Sequence, residues 1–310
     1  MTPDAQAKSP QRGTRQGYAE RVLRVLVHIQ QNLDAELSLD SLAAIANFSP
    51  FHFHRVFRGM VGESVGQHVR RLRLERAAQR LKHSERSIVS IALEAGYEAH
   101  ESFSRSFRAA FGCAPRDFRS AASLVERMSS PTAVHYVGGT HEVRFEPLPE
   151  EVTMKVEIRN LGPKRIAFLR HRGPYREVGE TWEALMDWAG RECLVGPESS
   201  FFGLCWDDPE VTGPKRCRYD ACLTVANSVE ASGEVGVTTF AGGRFAVTLH
   251  QGPYERLGET YAALVGRWFP AHGLEPAAPP SLESYLDDPD TTEPEELLTE
   301  VMMPIRQEVR

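Results

Sequence analysis

No run of about 18 or more apolar residues occurs in the 310-residue chain, so no segment has the length a membrane-spanning helix needs. The first residues also lack the apolar core of a secretory signal, because Asp4, Lys8, Arg12 and Arg15 interrupt them. Both absences make the cytoplasm the expected location. Cysteine is scarce. Cys113, Cys193, Cys205, Cys217 and Cys222 form an odd set with no Cys-x-x-Cys and no histidine at zinc-finger spacing; they read as reduced, mostly buried small residues, and neither metal nor cofactor is expected. Coiled-coil heptads are missing, so nothing in the sequence enforces a dimer. No nucleophile–base pair stands out either, and an enzyme is not the first expectation.

What is present is ordinary globular composition, 41% apolar and 25% charged, at a length that calls for two or three domains. The charge is unevenly shared. Residues 1–127 carry 19 Lys/Arg against 13 Asp/Glu, and the remainder carries 17 against 29. A basic first half suits a polyanion such as nucleic acid, and an acidic second half does not.

Residues 1–16 are rich in Gln, Pro, Gly and Arg and read as a disordered lead-in. Helix is expected from Tyr18, where Val22, Leu23, Leu26, Val27 and Ile29 make an apolar face, and again over 37–46. The break Asn47-Phe48-Ser49-Pro50 supplies a left-handed stop, an N-cap and a first-turn proline. The next helix, 50–60, buries Phe53, Val56, Phe57 and Met60 and turns Phe51, His54, Arg55 and Arg58 outward. Helix, tight turn, helix with a basic outer stripe is the helix-turn-helix pattern, whose second helix enters the major groove. The unit recurs about 50 residues on, at 87–95 and 100–111, with Phe53, Arg55, Phe57, Arg58 and Gly62 matched by Phe103, Arg105, Phe107, Arg108 and Gly112. Between them the basic helix 69–83 can hold the two units at one separation.

Residues 20–120 closely resemble the AraC/XylS class of transcription regulators. The carriers are Gly62-Glu63-Ser64, the Arg71-to-Ala77 helix, Ala92-to-Tyr97, Phe103-to-Arg108 and Phe111-to-Arg119. The resemblance implies an all-α double helix-turn-helix domain, 17–121, that binds double-stranded DNA, with RNA polymerase as a further partner. Arg55 and Arg105 are the expected base readers, since Arg can donate two hydrogen bonds to guanine. Phe51, His54, His100, Glu101 and Ser104 share their faces, and Arg58 and Arg108 are expected on phosphates. Glu101 would accept from cytosine or orient Arg105 one turn on.

Residues 122–151 are dominated by Ser, Pro, Thr, Gly and Glu and read as a linker. Beyond it, His171-Arg-Gly-Pro-Tyr175 through Leu185 reappears as His250-Gln-Gly-Pro-Tyr254 through Leu264, matching at 9 of 15 positions. Self-similarity at a fixed offset marks a duplicated unit. Alternating strands flank each copy, over 154–158, 165–170, 201–206 and 217–226 in the first and 281–286 and 296–305 in the second. The expectation is an α+β domain, 152–310, of two duplicated strand-helix-strand-strand units, 152–228 and 233–308, in pseudo-two-fold symmetry about a groove. His171 and His250 read as supports of the repeated turn rather than as metal ligands.

This second half resembles the GyrI-like effector-binding domain found in Rob-type regulators, on both His-x-Gly-Pro-Tyr runs, Glu283-to-Pro289 and Leu298-to-Ile305. The resemblance implies an aromatic-lined groove with a buried carboxylate for bulky apolar or cationic effectors, hence multidrug sensing. Glu283 is the first choice for the acid, with Tyr285 two residues on and so on the same face. Glu300 is the second choice. Tyr175, Tyr254, Trp206 and Phe202 are candidate walls. Core packing is the rival reading for each aromatic and the preferred one for Trp182 and Trp268. Gly203 occupies the position equivalent to Glu283, and Asp220 that equivalent to Glu300, so the groove should be asymmetric. Two other readings stay open: a hydrolase using a convergent Tyr and Glu, and a module that docks another protein.

Overall fold

The computed structural model describes residues 10–121, 127–138, 143–150, 154–197, 199–278 and 280–306. The chain divides into two compact units, 15–149, and 150–310 together with 1–14. No helix among the described residues is long and apolar enough to cross a membrane.

Unit 15–149 is helical. α1 (Pro10–Gln31) begins well before Tyr18, so the expected disordered lead-in is helical from Pro10; residues 1–9 lie outside the described residues. α2 (Leu39–Ala46) starts at the cap Ser38, whose hydroxyl accepts the Ser41 N–H at 3.2 Å, and ends on Asn47 at φ 54°. α3 (Pro50–Val61) follows from the cap Ser49 with Pro50 in its first turn. α4 (Val65–His83) opens with a capping box of Ser64 and Gln67. α5 (Ile88–Glu94), α6 (His100–Phe111) and the short α7 (Pro115–Ser120) complete the second half of the unit. Its core joins Leu74, Ala77, Ala78 and Leu81 of α4 to Ile91, Phe103, Phe107 and Phe118. Phe107 meets Phe103, Phe111 and Phe118 at centroid distances of 5.5, 4.5 and 5.1 Å, contacts worth about 0.5–1.5 kcal/mol each beyond burial.

The arginines of α4 serve the fold. Arg73 donates to the Leu33 carbonyl at 2.9 Å, and Arg76 reaches Asp34 at 2.7 Å and the Glu94 carbonyl at 2.8 Å. Arg80 pairs with Glu94. The basic helix is thereby tied to the chain on both sides of it.

The segment expected as a linker is instead, where described, a strap packed on this unit. Buried Glu75 accepts the Met128 N–H at 3.0 Å and the Tyr136 N–H at 2.8 Å, and faces His135 Nδ1 at 2.9 Å. Gln30 donates to the His135 carbonyl at 2.7 Å, and the Leu148 N–H donates to the Met60 carbonyl at 2.9 Å. The cause is Glu75: a carboxylate inside a core needs donors, and strap amides supply them.

The second unit holds β1 (Val156–Leu161), β2 (Lys164–Arg172), α8 (Gly179–Arg191), β3 (Phe201–Cys205) and β4 (Arg218–Thr224). It continues with β5 (Gly236–Phe240), β6 (Gly243–Gln251), α9 (Leu257–Ala263), a π-helical stretch Leu264–Trp268, α10 (Phe269–Ala271), β7 (Ser281–Tyr285) and β8 (Leu298–Pro304). All eight strands form one sheet in the order β1-β6-β8-β7-β3-β4-β2-β5, antiparallel throughout. β5 closes one edge and β6 lies next to the other, yet only Ala241 and Gly242 separate them in sequence. So short a link forces the sheet to curl. Phe202 and Phe240, three strands apart and so roughly 14 Å apart on a flat sheet, meet at 5.9 Å. At the join a Cβ on Gly242 would lie 2.2 Å from the Leu161 carbonyl, and φ is +74° there, so only glycine fits.

Curling gives the sheet two unlike faces. Inside lie Ile166, Phe202, Leu204, Phe245, Val247, Leu282 and Met302, a filled core. The helices pack on the other face, where Leu185, Trp188 and Ala189 of α8 meet Ala167, Cys205, Tyr219 and Ala221.

Candidate functional site

On α6 the apolar residues Phe103 and Phe107 are buried, and the other side of the helix presents His100, Glu101, Arg105 and Arg108 to solvent with Ser104 half-buried among them. This is the expected reading face. Among the described residues Glu101 and Arg105 form no ion pair, so Glu101 does not hold Arg105 in place.

α3 differs. His54 and Arg55 are only 6% and 5% exposed, and Phe51 and Arg58 are half-buried. Arg55 lies 4.1 Å over the ring of Phe51, one turn back on the same helix, a cation–π contact that gains strength as water is excluded.

In the second unit the repeated turns do the work expected of their histidines. His171 places Nε2 3.1 Å from the Pro174 carbonyl and Nδ1 3.3 Å from Thr181, and His250 does the same at 3.3 Å to Pro253 and 2.8 Å to Thr260. Each ring ties a Gly-Pro turn to the first turn of its helix. Each tyrosine that follows is thereby aimed across the helix-bearing face.

That face carries Glu283. It lies opposite Gly203 across β7 and β3 and opposite Val301 across β7 and β8, and it is 5% exposed. Tyr261 of α9 donates to Oε1 at 2.9 Å and Tyr285 donates to Oε2 at 2.8 Å. The Tyr285 hydroxyl lies 2.9 Å from that of Tyr219, which accepts from Trp182 Nε1 at 3.0 Å. Tyr254 sits 5.4 Å from the Tyr285 ring and Tyr175 5.6 Å from the Tyr219 ring, both edge-on. Among the described residues no Lys, Arg or His pairs with Glu283. Burial first, then the charge of Glu283, pushes the Tyr285 hydroxyl well above the ordinary tyrosine value; the same causes act on Tyr254. Burial also raises Tyr175, whose hydroxyl rests 2.8 Å from the Arg218 carbonyl.

The expected asymmetry is present in the register. A Cβ on Gly203 would sit 2.2 Å from the Tyr219 oxygen, so where the second segment carries its acid the first carries the space that a tyrosine fills.

Three expected groove residues stand elsewhere. Glu300 is in register with Ser284 and Leu249, one residue out of phase with Glu283, and Arg159 binds it at 2.7 Å. Phe202 points into the curl with Phe240. Trp206 packs against that same inner cluster and donates to Asp220 at 2.8 Å. Asp220 is also clasped by Arg170 at 2.7 Å through both nitrogens. The reason is strand parity: cross-strand partners share a face, and a shift of one residue reverses it.

Tyr219, Tyr261 and the polar role of Trp182 were not foreseen. Trp182 and Tyr261 occupy the same position of the repeated phrase; Tyr261 donates to Glu283, and Trp182 donates to Tyr219, whose hydroxyl meets that of Tyr285. The repeat held that signal.

Comparison with known proteins finds a family match in each half of the chain. Residues 154–306 match the GyrI-like small molecule binding domain, and residues 42–121 match a Helix-turn-helix domain. The HTH-type transcriptional regulator YbfP of Bacillus subtilis is 30% identical over 42% of this chain and 46% of its own. The HTH-type transcriptional activator AarP of Providencia stuartii is 35% identical over 32% of this chain and 73% of its own. The regulatory protein SoxS of Salmonella typhimurium is 33% identical over 32% of this chain and 94% of its own. The match thus spans less than half of YbfP and most of the two shorter relatives. With a helix-turn-helix unit in its first half and a GyrI-like small-molecule-binding domain in its second, the chain belongs to the AraC-type transcriptional regulators.

Proposed function

We propose that the protein regulates transcription by binding double-stranded DNA through its helical unit, and that its second unit binds a bulky apolar cation against Glu283. The observation that carries the effector reading is the acid itself: a carboxylate 5% exposed, held among the described residues by two tyrosine hydroxyls and packed among aromatic rings. Burying a charge is costly without a counterion. A cation supplies the missing charge, and aromatic faces attract it further.

The strand order supports a duplicated origin for this unit. Exchanging β1 to β4 for β5 to β8 turns the order of the sheet into its own reverse, as a pseudo-two-fold axis between β3 and β7 requires. On the DNA side α6 is the open reader, with Arg105 set to donate to a base. RNA polymerase is the partner a regulator of this kind would meet on the promoter. Binding alone suffices for a sensor, and a non-enzymatic role is the reading adopted.

Two titrations test it. Tetraphenylphosphonium should bind the wild-type chain in a calorimeter, and Glu283→Gln, which keeps the shape and removes the charge, should weaken it at least tenfold. Equal affinities would overturn the effector site. On duplexes selected by the protein from a random pool, Arg105→Ala should cost about 1–3 kcal/mol of sequence discrimination at constant salt; unchanged discrimination would remove α6 as reader.

A further inference from the structure

We propose that Trp182 and Tyr219 are positioning residues that, through Tyr285, aim the Glu283 carboxylate and tune its affinity for a cation; this rests on the effector reading above. The argument is a count of protons. A tyrosine hydroxyl has one to give. Tyr285 gives its proton to Glu283 Oε2, since a carboxylate only accepts and lies 2.8 Å away. Its oxygen, 2.9 Å from that of Tyr219, must therefore accept from Tyr219. Having given its proton, Tyr219 must accept from the indole N–H of Trp182, a donor only, at 3.0 Å. Every bond in the series Trp182, Tyr219, Tyr285, Glu283 thus points the same way, toward the acid.

Both tyrosines keep the protons this requires. Burial, aided by nearby negative charge, lifts the two hydroxyls well above the usual range. Bonds aligned in series polarise one another, so the distal indole strengthens the donor that touches Glu283. The opposite oxygen has its own donor, Tyr261, at 2.9 Å. The carboxylate is held from both sides with its charge uncancelled, ready for a cation.

The arrangement needs the glycine. A side chain at Gly203 would begin 2.2 Å from the Tyr219 oxygen and 2.5 Å from its ring, displacing the hydroxyl that joins the indole to Tyr285. The segment that contains 203 carries a glycine where the other carries its acid, and what it contributes is the donor series that orients that acid. The bland alternative is that Trp182 and Tyr219 simply fill space.

The two are separated by the indole N–H resonance of Trp182 in the full chain, identified by its loss in Trp182→Phe. In the absence of any ligand, Glu283→Gln and Tyr285→Phe should each move that resonance upfield, although Glu283 makes no hydrogen bond to the indole and Tyr285→Phe keeps the ring that packs edge-on against it at 6.1 Å. If it stays put in both, the series is refuted. Tyr219→Phe, which keeps the ring and removes the hydroxyl, should bind tetraphenylphosphonium about fivefold more weakly, the net worth of about one hydrogen bond. The neutral probe triphenylphosphine oxide should bind it unchanged. Equal losses for both probes would mean that Tyr219 shapes the groove and does not tune its charge. Should Tyr219→Phe fail to fold, Trp182→Phe carries the same comparison from the far end. If the resonance moves as expected but tetraphenylphosphonium does not bind the wild type, the donor series stands and the effector reading fails.

Discussion

Glu75→Ala should loosen the strap and destabilise the helical unit, and the size of the effect follows from what Glu75 holds. Its carboxylate takes two backbone amides, Met128 and Tyr136, and faces His135 and Arg71. Arg71 keeps Glu63 at 2.5 and 3.1 Å when Glu75 is lost, so no guanidinium is stranded. The two amides are left without an acceptor, at about 1–3 kcal/mol each, and the loss centres on about 4 kcal/mol. For a unit of roughly 135 residues, at about 2.1 cal/mol/K per residue, that lowers the midpoint by about 14 °C. The sequence provides a clean assay. All four tryptophans, Trp182, Trp188, Trp206 and Trp268, lie in the other unit, so indole fluorescence reports that unit alone. Helical circular dichroism is weighted toward residues 15–149. Glu75→Ala should lower the dichroism midpoint, leave the fluorescence midpoint in place, and accelerate hydrogen exchange at Met128 and Tyr136. A loss below about 1 kcal/mol, with both amides already exchanging freely in the wild type, would refute the reading of the strap as ordered structure.

Gly203→Ala adds one methyl group where the Tyr219 oxygen already stands. It should cost about 1–3 kcal/mol by overpacking, seen as a lower midpoint in tryptophan fluorescence, together with weaker tetraphenylphosphonium binding. Acid should unfold the helical unit in two stages. Burial pushes the His68 ring below the ordinary histidine value; the unfolded chain therefore takes up a proton that the folded one refuses, and stability falls as pH drops below about 6.5. Burial alone would raise Glu63, but hydrogen bonds from His68 and Arg71 and their charges bring it down to about 2. Its contribution, on the order of 3 kcal/mol, is present above pH 4.5 and lost as pH falls toward 2. Glu63→Gln should flatten that lower limb of a denaturation series and deepen the upper one, because the Glu63 hydrogen bond and charge hold His68 up against burial; an unchanged lower limb would count against the pairing.

The helix-turn-helix breaks were legible because local chemistry decides them. Asn47 tolerates the left-handed turn, Ser49 caps, and Pro50 has no N–H to leave unpaired in the first turn. The strap was hidden for the opposite reason. Its Ser, Pro and Thr favour no regular element, and its order comes from Glu75, one charged residue among many on a basic helix.

In the second unit the repeat marked the turns and the contrast of Glu283 with Gly203, which the strand register places opposite each other. It could not mark which face of a strand bears the groove. β3 is buried on both sides, Phe202 and Leu204 inside the curl and Cys205 beneath the helix, so alternation of apolar and polar residues is absent where it was needed. Phe202, Trp206 and Glu300 were assigned to the groove for want of that signal. The curl itself depends on the pairing of β1 with β6 and β5 with β2, each crossing between the two segments, and no local pattern encodes such a crossing.

If the protein regulates transcription in response to its effector, occupancy at Glu283 must change the affinity of the helical unit for DNA. The direct measurement is the dissociation constant for a duplex selected by the full chain, at fixed salt, with and without saturating tetraphenylphosphonium, in the wild type and in Glu283→Gln. A regulator with coupled sites should show a change of about fivefold or more in the wild type and none in the variant. A wild-type affinity that ignores the bound cation, or a variant that responds as the wild type does, would contradict it.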